Sequence, residues 1–162
     1  AISGALQRDG QLVAGVVYNP ATDEMFVAEK GAGAFSASRR LRVAARAGLA
    51  EALIGCGVPH LGKAPEHPRF KAELAAVMAR ALNVRRLGSA ALDLCCVAGG
   101  RYDGYWERGL QPWDLAAGLL IVREAGGFVT DADGGQDMLA KGSVCVGNER
   151  IHRQLRECLK GA

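Results

Sequence analysis

Along the first part of the chain the apolar positions come in short runs separated by turn residues. "AISGALQ" and "QLVAGVVYNP" flank Arg8-Asp9-Gly10, and two apolar stretches around such a turn predict a β-hairpin. Asn19-Pro20 with Thr22-Asp23 predicts the next turn. "EMFVAEKGAGAF" predicts strand, glycine-rich turn and strand, and "RRLRVA" a further short strand, so residues 1–46 form an antiparallel meander. The pattern then changes. "EALIGCGV" (51–58) is a short strand. Phe70, Leu74, Val77, Met78 and Leu82 recur at a helical period, which predicts a helix over 68–82. "VRRL" is a strand, "SAALDLCCVAGG" a helix closed by glycines, "YDGYWE" a strand, and "DLAAGLLIVREAGG" a nearly all-apolar helix ending at Gly126-Gly127. "FVTD" and "SVCVGN" are strands, and 149–160 is a last helix. From 51 onward strand and helix alternate, the mark of an α/β half. The join falls near 47–50, with no flexible linker, so both halves belong to one domain over 1–162: 1–46 as antiparallel strands of a first sheet and 47–162 as an α/β half with a second.

Composition changes this picture little. The chain has 162 residues, 49% hydrophobic and 23% charged, in the range of an ordinary globular domain with a sizeable core. A formal net charge of +3 is too small to argue for a nucleic-acid partner. Arg39, Arg40 and Arg42 read as a solvated basic edge. No apolar run is long enough to span a bilayer, and no basic leader precedes "AISGALQRDG". The five cysteines include no C-x-x-C, and adjacent Cys95 and Cys96 lie in an apolar helical run, so they are expected to be packing residues in a reducing, cytoplasmic compartment. His60, His67 and His152 are scattered, which disfavours a histidine metal site. Residue 1 begins inside a strand-like stretch without a Met, so the chain is expected to be the later part of something longer.

Two stretches carry candidate chemistry. In "RRLGSAALDL" (85–94) a strand ends, Gly88 turns the chain and Ser89 stands at an N-cap position. The first N–H groups of such a helix attract anions, phosphate above all, and Arg85 and Arg86 just upstream would add positive charge. Simple capping is the plain alternative. In "GYWERGLQPWD" (104–114) Glu107 ends a strand and Asp114 opens a helix, and element ends are where α/β proteins place ligand groups. Here the plain alternative is a helix cap at Asp114 and a solvated strand end at Glu107. Against it stand Trp113 and the apolar helix behind, which point to a buried carboxylate. Such a carboxylate needs a partner, and a hard divalent cation would fit.

"WERGLQPWDLAAGLLIVREAGG" resembles the C-terminal signature of the inositol monophosphatase family, and "GSAALDL" with its preceding arginines resembles the same family's substrate loop. "GAGAF" (31–35) and "GSVCVGNERIH" (142–152) are also similar to bacterial members, so the resemblance covers essentially the whole chain. It implies a layered α-β-α-β-α sandwich shared with fructose-1,6-bisphosphatases, here without its N-terminal helices. It implies Mg²⁺-dependent hydrolysis of a small-molecule phosphate ester, inositol monophosphate or a similar polyol phosphate, by a cytoplasmic homodimer with no membrane or nucleic-acid partner. By the same resemblance Asp114 is a metal ligand that also touches substrate, and Glu107 binds the ring hydroxyls. Gly88, Ser89 and Ala90 line the substrate, and Arg85 is a substrate-side arginine. Trp113 is expected to pack so as to fix Asp114.

The family's Asp-Pro-x-Asp-Gly-Thr motif and its upstream glutamate, which supply the other metal ligands, have no match. The only Asp-Gly pairs are Asp9-Gly10, Asp103-Gly104 and Asp133-Gly134, none in that context. The chain alone is therefore expected to lack phosphatase activity and a well-ordered metal pair. Sister families act on fructose 1,6-bisphosphate, histidinol phosphate or adenosine 3′,5′-bisphosphate, and remain alternatives. So does a binding or scaffold role in an RNA or protein assembly.

Overall fold

The computed structural model describes residues 1–162. Five antiparallel strands in sequence order make the first sheet: β1 (Ile2–Arg8), β2 (Gln11–Asn19), β3 (Glu24–Glu29), β4 (Gly33–Ser36) and β5 (Arg39–Arg40). The first hairpin turns at Asp9 and Gly10, both with positive φ. The stretch "RRLRVA" contributes only two residues of strand. Beyond them Leu41 is buried, its N–H still bonded to Ala34 O at 2.8 Å, and Val43 leaves the sheet to bond Ala125 O at 3.1 Å.

The second sheet has the order β7-β6-β8-β10-β9, built from β6 (Leu53–Cys56), β7 (Asn83–Arg85), β8 (Gly104–Arg108), β9 (Phe128–Thr130) and β10 (Ser143–Gly147). It is mixed: β6 runs parallel to β7 and β8, while β10 is antiparallel to β8 and β9. The helices α2 (Ala90–Ala98) and α3 (Pro112–Glu124) lie between the two sheets. They share one apolar core with Val17 and Phe26 of the first sheet and Tyr105, Val144 and Val146 of the second. Helices α1 (His67–Met78) and α5 (Glu149–Lys160) cover the far face, where Ile54, Trp106, Cys145, Ile151 and Leu155 form a second core. The result is sheet, helix pair, sheet, helix pair, an α+β layered sandwich.

Gly118 is what lets the middle layer close. A Cβ at that position would stand 2.5 Å from Leu94 Cδ1, so α2 and α3 meet almost backbone to side chain. All five cysteines are buried and unpaired. Two local expectations change. The helix predicted over 68–82 ends at Met78, because Leu82 N–H turns away to bond Leu49 O at 3.0 Å, and Met78 and Leu82 are mostly exposed. A one-turn helix, α4 (Met138–Lys141), also appears, closed by left-handed Gly142. Its four residues are too few for a periodic signal.

Candidate functional site

Alternation along β8 decides where its side chains go. Tyr105 faces the helix pair between the sheets and Trp106 the far core, so Glu107 returns to the side of Tyr105 and Arg108 to that of Trp106. Glu107 thus ends the strand at the rim of the middle layer. The fully buried Tyr105 hydroxyl donates to Glu107 Oε2. Gly57, just past the end of the parallel strand β6, leaves the room that Glu107 fills: a Cβ there would overlap the Glu107 carboxyl carbon. Glu107 is therefore fixed from two directions.

The connection from β7 to α2 forms the facing wall. Gly88 takes a positive φ of 84° and turns the chain. Ser89 stands at the N-cap of α2 with extended backbone, but its side chain makes no capping bond. Arg85 does not face this region: its guanidinium bonds Asn83 Oδ1 at 2.7 Å and the Val84 carbonyl at 3.0 Å. Arg86, the first residue past the end of β7, folds back toward Gly88.

Asp114 sits in the first turn of α3, behind Pro112, and its Oδ2 accepts the Gln111 N–H at 2.9 Å. The capping alternative is thus realised, by one oxygen only; Oδ1 has no protein partner. Asp114 is half-buried rather than buried. Trp113 corrects an expectation outright. It is 68% exposed, so it does not pack to fix Asp114. The buried tryptophan is Trp106, on the other face of β8.

These pieces form a cavity of about 500 Å³ whose lining includes Gly57, Arg86, Gly88, Ser89, Ala90, Glu107, Trp113 and Asp114, together with Ala1 and Ser3 at the start of the first strand. Of the residues singled out in the sequence, Gly88, Ser89, Ala90, Glu107 and Asp114 come together, and Arg85 does not. Burial is the main force holding the Glu107 carboxyl above the ordinary carboxylate range, and the like charge of Asp114 adds to it. The Tyr105 hydroxyl, Lys63 and Arg86 oppose it. Behind the loop lies a residue that sequence reasoning passed over. Asp93 on α2 is 1% exposed, and burial pushes its carboxyl up to about 7, with Glu107 adding repulsion and Leu87 N–H, Ser89 N–H and Arg86 opposing. A charged residue inside "AALDLCCVA" was its one visible signal.

A second charged cluster occupies the opposite face of β8. Glu73 of α1 is 1% exposed and accepts from Arg108 Nε at 2.7 Å, Arg69 Nε at 3.2 Å and Trp106 Nε1 at 3.3 Å. Arg69 and Arg108 also reach Asp133, at 2.6 and 2.9 Å. Every charge in this cluster has a partner, and it joins α1 to the sheet as a structural network.

Comparison with known proteins gives this geometry a context. The family model described as the inositol monophosphatase family matches residues 1–160. The inositol-1-monophosphatase of Mesorhizobium japonicum is 61% identical over 160 residues, covering 99% of this chain and 60% of that protein. Nus factor SuhB of Pseudomonas aeruginosa is 40% identical over 156 residues, 96% of this chain and 58% of that protein. Among solved structures, the extragenic suppressor protein suhB of Bartonella henselae superposes with a TM-score of 0.94 at 53% identity, covering 98% of this chain and 61% of that one. The chain spans about 60% of the length of the curated relatives it matches. With the family model matched over nearly the whole chain and the layered fold shared with a solved relative, the chain belongs to the inositol monophosphatase family.

Proposed function

We propose that the complete protein is a Mg²⁺-dependent phosphate monoester hydrolase, acting on inositol monophosphate or a similar polyol phosphate. The observation that carries this reading is the single cavity into which Gly88, Ser89, Ala90, Glu107 and Asp114 converge from three separate elements. The cavity offers both kinds of group that a phosphorylated polyol calls for. The free N–H groups of α2 and the nearby Arg86 favour an anion. Glu107 offers an acceptor for hydroxyl groups, and its fixed rotamer would orient them.

Asp114 fits one position in the shell of a hard cation, since Oδ1 is free and the residue lines the cavity. No group of three or more His, Cys, Asp or Glu side chains in this chain could hold a metal ion by itself. Asp114 is therefore one ligand among several, and the other oxygens would come from water, substrate or residues outside this chain. When bound, Mg²⁺ would acidify a water and neutralise phosphate charge. The chain's own residues position the ester. Arg86 and the α2 N-terminus hold the phosphate side, Glu107 the polyol side, and Asp114 the leaving-group side.

The test is phosphate release by the complete protein from inositol monophosphate, fructose 1,6-bisphosphate, histidinol phosphate and adenosine 3′,5′-bisphosphate, with and without Mg²⁺. Preference for the inositol ester and dependence on Mg²⁺ are expected. A second reading, binding within an RNA or protein assembly, is favoured by the relative named Nus factor SuhB. Partner binding that survives Asp114→Asn would support it alongside or in place of catalysis.

A further inference from the structure

Ser89 occupies the N-cap of α2 yet leaves the capping work undone. N-cap serines ordinarily accept an N–H from the first turn, so here the first-turn N–H groups of α2 stay open. Asp93 makes its bonds instead to the loop before the helix. It lies one turn into the same helix, its own N–H bonded to Ser89 O at 2.9 Å. Its carboxylate reaches back behind the loop, where Oδ1 accepts the Leu87 N–H at 3.4 Å and Ser89 N–H also favours its charged form. The carboxylate is almost fully enclosed, while Ser89 lines the cavity in front. A loop anchored from behind can present the Ser89 hydroxyl and the open N–H groups of α2 forward.

We propose that Asp93 is a positioning residue for phosphate-ester binding: it anchors loop 87–89 from behind and so keeps Ser89 and the α2 N-terminus free for the ligand. The inference rests on the reading of the cavity as a polyol-phosphate site. It adds a residue that itself touches neither metal nor substrate. Burying a carboxylate beside Glu107 costs stability, and a helix of this composition needs no acid there, since Leu94, Val97 and their neighbours supply its packing. A positioning role accounts for that cost. Asparagine in its place keeps an acceptor oxygen for Leu87 N–H, whereas alanine removes it.

The experiment compares wild type, Asp93→Asn and Asp93→Ala in the complete protein, by steady-state hydrolysis of inositol monophosphate and by amide hydrogen exchange over 87–92 without substrate. Loss of a buried acceptor predicts that Asp93→Ala raises KM about tenfold, with kcat changed far less, and speeds exchange of the Leu87 and Ser89 amides. Asp93→Asn should restore KM to within about threefold of wild type and restore protection. An alanine variant with wild-type KM and exchange overturns the proposal. So does a parallel fall of kcat, kcat/KM and melting temperature that asparagine does not rescue, which marks a merely structural residue. Wild-type protein that hydrolyses no polyol phosphate would sink the functional reading alone, because the exchange measurement still decides whether Asp93 anchors the loop.

Discussion

Replacing Asp93 by asparagine should stabilise the protein, and by an amount that depends on pH. Asp93 is buried and its carboxyl is pushed from the ordinary 3.8 up to about 7. The groups that face it are Cys56 from β6, Tyr102 before β8, Tyr105 and Glu107 on β8, Arg86 ahead of α2 and Cys96 on its own helix. Only Arg86 among them carries positive charge. The folded protein therefore holds this proton more tightly than the unfolded chain does. Below the unfolded value both states are protonated and Asp93 costs nothing. Between the two values only the unfolded chain ionises, so stability falls as pH rises; above about 7 both states are charged and the full cost stands. The displacement corresponds to a ceiling of roughly 4 kcal/mol. Asparagine is nearly isosteric and does not titrate. Urea unfolding of both proteins should show near-equal stability at about pH 4, with the variant more stable by up to roughly 4 kcal/mol at about pH 8. A difference that stays flat across pH, or a variant that is less stable at high pH, would refute the reasoning.

The buried His152 is held neutral, its pKa lowered to about 4 chiefly by burial, with Arg156 assisting. Stability should be fully present above about pH 6.5 and fall by up to roughly 3 kcal/mol as pH drops toward 4, a slope that His152→Gln flattens in acid titrations of unfolding. Arg108→Met leaves Glu73 with Arg69 and Trp106 only, and should cost about 1.5–3 kcal/mol; the double change Glu73→Leu with Arg108→Met should cost less, which a double-mutant cycle in urea reads directly. Gly57→Ala forces Glu107 from its place against Tyr105, so hydrolysis of polyol phosphate should fall by about tenfold or more, with a loss of about 1–3 kcal/mol in urea from the unpaired Tyr105 hydroxyl; unchanged activity would mean that the Glu107 position is not needed.

Turn residues between short apolar runs made the strands of both sheets legible, and a helical period over 68–82 or an apolar run of helical length made the longer helices so. These patterns placed the bends less well. The stripe from Phe70 to Leu82 looked continuous, but the chain must turn at Ala79 to bring Asn83 beside Leu53, and a turn is set by tertiary pairing. The strand expected over 39–44 broke because Val43 found a partner on the helix side. In the cavity, motif residues Gly88, Glu107 and Asp114 were visible because glycine turns and charged element ends are unusual against an apolar background. The choice between Arg85 and Arg86 was not. The strand ends between them, and the local bonds of Arg85 to Asn83 and the Val84 carbonyl decide which one is tied down. Trp113 misled for a similar reason: a large apolar residue beside a helix start looks like core, yet here Pro112 and Trp113 lie on the exposed first turn. Asp93 was hidden by its surroundings, since nothing in a local apolar run tells whether a single acid points into solvent or under a loop.

The most direct test of the central claim is Mg²⁺-dependent phosphate release from inositol monophosphate by the complete protein carrying Asp114→Asn, beside the wild type and with the melting temperature of each. Asp114 gives one oxygen to its own helix and keeps the other for the cavity, so the amide should fold almost as well. Loss of a charged ligand at the reacting end predicts a fall in kcat of about a hundredfold or more with little thermal shift. A variant that folds normally and keeps near wild-type, Mg²⁺-dependent turnover would contradict the assignment of this cavity as the site of hydrolysis.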